Sequence, residues 1–160
     1  MNIDYFNQEN FNDLCHIYLQ GINTGIATFQ TDLPTWESWN SNHLQIGRIG
    51  MFDNQKLVGW CSLAPVSNRL VYKGVAEISI YIHENYWNKG IASKLLQQQI
   101  VESEKHGIWT LQSSIFPENK ASIKVHEKAG FRMVGIREKI GLINGIWKDN
   151  LLFERRSKLI

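Results

Sequence analysis

The stretch Trp87-Asn88-Lys89-Gly90-Ile91-Ala92-Ser93 has the residue types of an anion cradle. It joins an apolar strand-like run to an amphipathic one, so its amides belong to the first turn of a helix. Those N–H groups have no intrahelical partner and sit at the positive end of the helix dipole, which suits a phosphate or pyrophosphate. Gly90 lets the main chain approach such a group with no Cβ in between. The plainer alternative is a helix-start glycine with no ligand, and a lone glycine-containing loop decides little between them. Two further side chains could move protons. Glu77 lies in an apolar strand-like run, and desolvation brings carboxylates toward the range useful to a general base. His126 has a ring that changes charge near neutral pH. Taken alone, each also has an ordinary reading: a strand glutamate facing solvent or paired with a lysine, and a histidine that caps or packs within a helix.

The elements that must position these residues are legible from periodicity. Ile78, Ile80 and Ile82 alternate with Ser79 and Tyr81, which predicts a strand over 77–82. Ile91, Leu95, Leu96 and Ile100 share one helical face after Gly90. Before them, Met1–Phe6 reads as a strand and Glu9–Asn23 as a helix, with 24–33 as an irregular loop. Pro34 opens a second helix that carries Trp36, Trp39 and Leu44 on one side. Strands over Ile46–Phe52 and Lys56–Leu63 meet at Asp53-Asn54, and 64–74 is a loop. Ile108–Ile115 is a further strand, and Asn119–Ala129 is a helix that Gly130 stops. Phe131–Leu142 and Ile146–Phe153 form a hairpin across Asn144-Gly145. The order β-α-α-β-β-β-α-β-α-β-β predicts an α/β (α+β) fold in one domain spanning 1–160, with a mixed, mostly antiparallel sheet flanked by helices.

Composition narrows the function classes. The 160 residues are 43% hydrophobic and 20% charged, as in an ordinary globular protein with a sizeable core. A net charge of +2, with basic residues scattered, gives no footprint for nucleic acid. The polar, acidic start is unlike a signal peptide, and no run is apolar enough to span a membrane. Cys15 and Cys61 are far apart, which argues against structural zinc and a disulfide framework and for free thiols in a reducing cytoplasm. No other metal-ligand pattern is present.

The order of elements and the strand–glycine–helix signature resemble the GNAT superfamily of N-acetyltransferases. Its members carry Arg/Gln-x-x-Gly-x-Gly/Ala at this helix start. Here Gly90 and Ala92 match, and Trp87 stands at the first position. Ala76–Ile82 is similar to the Glu-x-Ser-Val-Tyr-Val strand of the phosphinothricin and methionine sulfoximine acetyltransferases. Asn119–Phe131 resembles that subgroup's Asn-x-Ala-Ser-x-x-x-His-Glu-x-x-Gly-Phe, Gly145–Asp149 its Gly-x-Trp-x-Asp, and Ala27-Thr28-Phe29 its Ala-Thr-Phe loop. On the acceptor side the chain departs from the subgroup. It keeps Pro65 and Arg69 of Pro-Phe-Arg-x-Arg, and Ile143 stands where the subgroup has a lysine.

The resemblance implies an acetyl-CoA-dependent N-acetyltransferase acting by direct attack in a ternary complex. The implied acceptor is a small amine, an amino acid or an analogue such as phosphinothricin or methionine sulfoximine. Glu77 becomes the base and His126 a second proton-handling group. Main-chain amides of Ile80, Tyr81 and Ile82 are to meet the developing oxyanion. Those of Asn88, Lys89, Gly90, Ile91, Ala92 and Ser93 are to hold the pyrophosphate. Asn119 and Ser122 correspond to coenzyme contacts, with helix capping by Asn119 as an equal alternative. Arg69, with Tyr72 beside it, is placed to hold a substrate carboxylate, or else is solvated. Phe29 is expected to wall the acceptor pocket or to be core, and Trp36, Trp39 and Trp147 to be core or dimer-contact aromatics. A cytoplasmic homodimer with no metal, no nucleic-acid partner and no membrane partner completes the expectation. Acetylation of a peptide or protein amine, and a non-catalytic acyl-CoA-binding module, are the competing readings.

Overall fold

The period-2 runs form seven strands: β1 (Asn2–Tyr5), β2 (Ile49–Asp53), β3 (Lys56–Pro65), β4 (Val75–Ile82), β5 (Thr110–Ile115), β6 (Arg132–Ile143) and β7 (Ile146–Arg156). Four helices interleave with them: α1 (Phe11–Asn23), α2 (Trp36–Asn42), α3 (Ile91–Lys105) and α4 (Lys120–Lys128). The computed structural model describes all of residues 1–160. The strands make one mixed sheet in the order β1-β2-β3-β4-β5-β7-β6. Only β4 and β5 run parallel; every other neighbouring pair is antiparallel. No helix is long and apolar enough to cross a membrane.

Helices cover both faces of the sheet. Leu95 and Leu96 of α3 pack with Ile78, Cys61 and Leu63 on one face, while Leu14 and Ile17 of α1 pack with Trp60 and Leu57 on the other. The pleat of β4 therefore sorts its side chains. Ala76, Ile78, Ile80 and Ile82 serve the α3 face; Glu77, Ser79 and Tyr81 point to the α1 face.

The element order is the one periodicity predicts, and the differences are local. β2 begins at Ile49, later than the expected Ile46, because Gly47 adopts a left-handed φ of +68° and turns the chain away from the sheet. The turn between β2 and β3 is centred on Asn54 and Gln55, both at positive φ, so that Asp53 pairs with Lys56. Thr35, not Pro34, caps α2, accepting from the Ser38 amide at 3.3 Å, and Leu44 falls beyond the helix. β7 runs on to Arg156, past the expected Phe153.

Candidate active site

The central parallel pair is short. β4 and β5 are in register from Val75–Thr110 to Glu77–Gln112 and no further. Beyond that point the strands diverge, and β4 from Ile78 to Ile82 keeps only β3 as a strand partner. The edge of β4 facing β5 thus carries main-chain groups without a ladder. That edge offers the amides of Ile80 and Ile82 as oxyanion donors; the expected Tyr81 amide is not among them, because the ladder bonds every second residue on the β3 side, His83 to Val58 and hence Tyr81 to Trp60.

Two cavities open at this divergence. The larger, about 540 Å³, is walled by Ile80, Tyr81 and Ile82, by the loop at Trp87, Asn88 and Gly90, and by the first turn of α3. Asn119, just before α4, and the α4 side chains Ser122, Val125 and His126 close its other side. The smaller, about 350 Å³, lies on the α1 face and holds Phe29, His43, Glu77, Ser113, Ser114 and Asn150. Ile80, Tyr81, Asn119, Ser122 and His126 line both, so the two spaces meet there.

The loop into α3 has the geometry of an anion site. Asn88 and Gly90 both adopt left-handed φ, +60° and +74°, which turns successive amides to one side. A Cβ on Gly90 would meet no protein atom within 4 Å, so the space before it is open. The Trp87 indole donates to the Ile82 carbonyl at 2.8 Å and ties the loop to the end of β4. The indole thus does structural work at the position where the resemblance places a polar side chain. Ala92 and Ser93 lie in the cavity wall, and Ile91 lines it while burying its side chain in the core. Lys89 is outside the lining; its ammonium sits 4.7 Å from the Tyr86 ring centre.

Glu77 is half-buried, and its Oε2 accepts a 2.9 Å hydrogen bond from Gln112 on β5. Its carboxylate is therefore held at the point where the parallel pairing ends. His126 is buried on the inner face of α4. Its Nδ1 lies 2.8 Å from the Ser122 carbonyl and must donate to it. In the neutral ring the Nε2 lone pair is then free, and Nε2 is buried without a protein partner. Burial holds the ring below the usual histidine pKa, so it is neutral at pH 7. An orphaned basic nitrogen at the junction of two cavities is equipped to accept a proton.

The other expected site residues divide. Asn119 caps α4, accepting from the Ser122 amide at 3.1 Å, and still lines both cavities. Phe29 walls the smaller cavity, edge-on to Phe116 at 4.7 Å, and packs against Gly141 of β6 so closely that a Cβ there would come within 2.3 Å of its ring. Tyr81 lies beneath α1 among Tyr18 and Trp60, and burial pushes its phenol pKa up. Arg69 and Tyr72 are not brought to the site. They stack on each other at 5.4 Å on the exposed loop between β3 and β4, outside both linings. Trp39 is buried core, whereas Trp147 is 59% exposed on the β6–β7 hairpin. Sequence reasoning missed Gln112, Ser114, His43 and Asn150. The alternation of β5, which puts Gln112 and Ser114 on one face, was the only pointer to any of them.

Comparison with known proteins agrees with this fold. The family model described as "Acetyltransferase (GNAT) family" matches residues 12–131. YwnH of Bacillus subtilis (strain 168), a candidate phosphinothricin acetyltransferase, is 33% identical over 134 residues, 81% of this chain and 82% of its own. The L-methionine sulfoximine/L-methionine sulfone acetyltransferase of Salmonella typhimurium is 26% identical, covering 73% of this chain and 77% of its own. A crystal structure of an N-acetyltransferase from Staphylococcus aureus Mu50 superposes with a TM-score of 0.86 at 29% identity, over 97% of each chain. A GNAT phosphinothricin acetyltransferase from Sinorhizobium meliloti, in complex with acetyl-CoA, has the same fold at a TM-score of 0.86 and 21% identity, over 97% of this chain and 87% of its own. The match of most of the chain, residues 12–131, to the family model makes this chain a member of the acetyltransferase (GNAT) family.

Proposed function

We propose that this chain transfers the acetyl group of acetyl-CoA to the amine of a small acceptor, an amino acid or amino-acid analogue of the phosphinothricin or methionine sulfoximine type. The observation that carries the reading is His126 in the shared wall of the two cavities, with Nε2 unpartnered. The larger cavity suits the coenzyme. The open space at Gly90 and the amides of Asn88–Ser93 fit a pyrophosphate, and Ile80, Ile82, Ala121 and Val125 offer an apolar wall to the pantetheine arm. Acetyl-CoA supplies an activated thioester; the chain supplies position and proton transfer.

The free amine alone can attack, so the acceptor's ammonium first gives a proton to Glu77, directly or through water. The nitrogen then bonds to the thioester carbon, and unpaired amides of β4 meet the negative charge growing on oxygen. His126 Nε2 takes the second nitrogen proton. The C–S bond breaks, and the imidazolium passes that proton to the departing thiolate. Glu77 returns its proton to solvent. Cys15 and Cys61 line neither cavity, and burial raises both thiol pKa values, which supports direct transfer over a cysteine-bound acetyl intermediate.

The reading includes a cytoplasmic enzyme, in keeping with its two free thiols, and a homodimer. Ile136, Ile140, Leu142, Ile146 and Trp147 stand more than half exposed on the β6–β7 hairpin, an apolar ribbon suited to a second copy. The deciding experiment follows coenzyme A thiol release with a panel of free amino acids, methionine sulfoximine, phosphinothricin, simple alkylamines and peptides. Turnover with the amino acids or analogues is expected. Turnover with peptides alone would overturn the acceptor class. Tight coenzyme binding with no release for any amine would overturn catalysis.

A further inference from the structure

The smaller cavity, left to the acceptor once the coenzyme takes the larger, lacks a cation where the proposed substrate needs one. No lysine or arginine lines it. Its titratable side chains are Tyr18, Tyr81, Glu77 and two histidines, His43 and His126, whose burial lowers their pKa values and keeps them neutral at pH 7. Arg69, the cation expected from the sequence, is on the exposed loop. An amino-acid acceptor, taken from the function proposed above, brings an anion as well as an amine.

Directly behind the cavity wall lies Arg137 of β6. Its Nη2 donates to Ser114 Oγ at 2.7 Å and to Asn150 Oδ1 at 2.9 Å, and both of those residues line the cavity. Its Nε is buried with no partner. No carboxylate lies within ion-pair distance of it. Buried guanidinium donors are normally satisfied, so Arg137 is a cation whose charge no carboxylate of the protein answers and whose contact with the cavity runs through Ser114 and Asn150. Two other cations show the contrast. Arg48 spends Nε, Nη1 and Nη2 on Leu44, Asn40 and His43 and stacks on Trp39. Lys148, near Phe116, is already neutralised by Glu118 at 2.9 Å.

We propose that Arg137, with Ser114 and Asn150, forms the subsite that holds the acceptor's anionic group, a carboxylate or phosphinate, and so restricts the enzyme to amines that carry one. The Ser114 hydroxyl proton and the Asn150 side-chain N–H groups are free to donate into the cavity, because both residues accept from Arg137. The guanidinium behind them supplies the compensating charge. Sheet geometry sets the spacing. Glu77 is bonded to Gln112, and Ser114 lies two residues further along β5 on the same face, about 7 Å away. The amine end of an acceptor faces the carboxylate and its anionic end faces the guanidinium.

The test compares each acceptor carboxylate with its carboxamide, using the common amino acids, methionine sulfoximine and phosphinothricin, together with simple alkylamines. The wild type is expected to prefer the carboxylates. Arg137→Gln should raise KM for them by about 10- to 100-fold, because the Ser114 and Asn150 groups that bond the anion lose the guanidinium that orients them and supplies the opposite charge. The same variant should leave KM for the carboxamides and for acetyl-CoA within about twofold, a split that a merely structural loss would not produce. Arg137→Lys, which keeps the charge and loses the fork, should fall between and decides the matter should the Gln variant not fold. Equal losses for carboxylate and carboxamide, or a wild type that turns over alkylamines and no amino acid, would overturn the subsite and leave acetyl transfer standing. No thiol release with any amine would overturn the proposed function itself.

Discussion

Gly90 offers a test in which backbone strain and ligand contact can be separated. Its φ of +74° is one that L side chains adopt at a cost of roughly 1–2 kcal/mol. A Cβ at Gly90 meets no protein atom within 4 Å, so Gly90→Ala adds no clash to that backbone cost. Gly107, after the C-terminus of α3, is a matched control: its φ is +75°, its Cβ space is equally empty, and it lines neither cavity. Both variants should therefore lose similar stability, about 1 kcal/mol, seen as a fall in Tm of roughly 2–4 °C for a chain of this size. Only Gly90→Ala puts a methyl group into the proposed pyrophosphate cradle. Calorimetric titration with coenzyme A should show its Kd rising by about tenfold or more, while Gly107→Ala binds as the wild type does. A Gly90→Ala protein with unchanged Kd, or a Gly107→Ala protein weakened to the same degree, would refute the placement of the diphosphate at this loop.

Other outcomes follow from the same geometry. Glu77→Gln keeps the size of the side chain near Gln112 and should lower kcat at neutral pH by about 10²- to 10⁴-fold with coenzyme affinity unchanged; full turnover across the pH range would remove Glu77 from the reaction. Burial lowers the pKa values of His43 and His126. The unfolded chain therefore binds more protons below about pH 6.5, and stability should fall as pH drops from there toward the folded pKa values, by up to about 1.4 kcal/mol per unit for each ring. Urea midpoints between pH 7.5 and 5.5 check this, and a flat profile, or one that His126→Gln does not flatten in part, would contradict it. Trp147 is 59% exposed beside Ile146 at 62%, so Trp147→Glu should convert the proposed homodimer to monomer in light scattering; an unchanged mass would move the dimer contact elsewhere.

What the sequence makes legible here is what neighbours along the chain encode. The alternation of Ile78, Ile80 and Ile82 fixes which face of β4 meets α3, and hence that Glu77 looks the other way. Asn144-Gly145 and Gly130 sit at the positive φ their types favour, so the last hairpin and the end of α4 fall where expected. Periodicity names a face but carries no register, and the acceptor side of the site is built from register. Gln112 reaches Glu77 because β4 and β5 pair for three residues and then part. Arg137 reaches Ser114 across the intervening β7, after Arg137 has paired with Asn150. The register of β6 then slips between Arg137 and Gly141, a bulge that no local pattern announces. Arg69 shows the converse. Closeness in sequence to the central strand suggests a substrate cation, yet the loop that carries it runs outside both cavities and leaves its guanidinium on Tyr72 in solvent. If a cation reads the acceptor, topology puts it on the far strand of the sheet. A double-mutant cycle of Arg137→Gln with Ser114→Ala should then show strong coupling in acceptor KM, and one of Arg69→Gln with Ser114→Ala should show none.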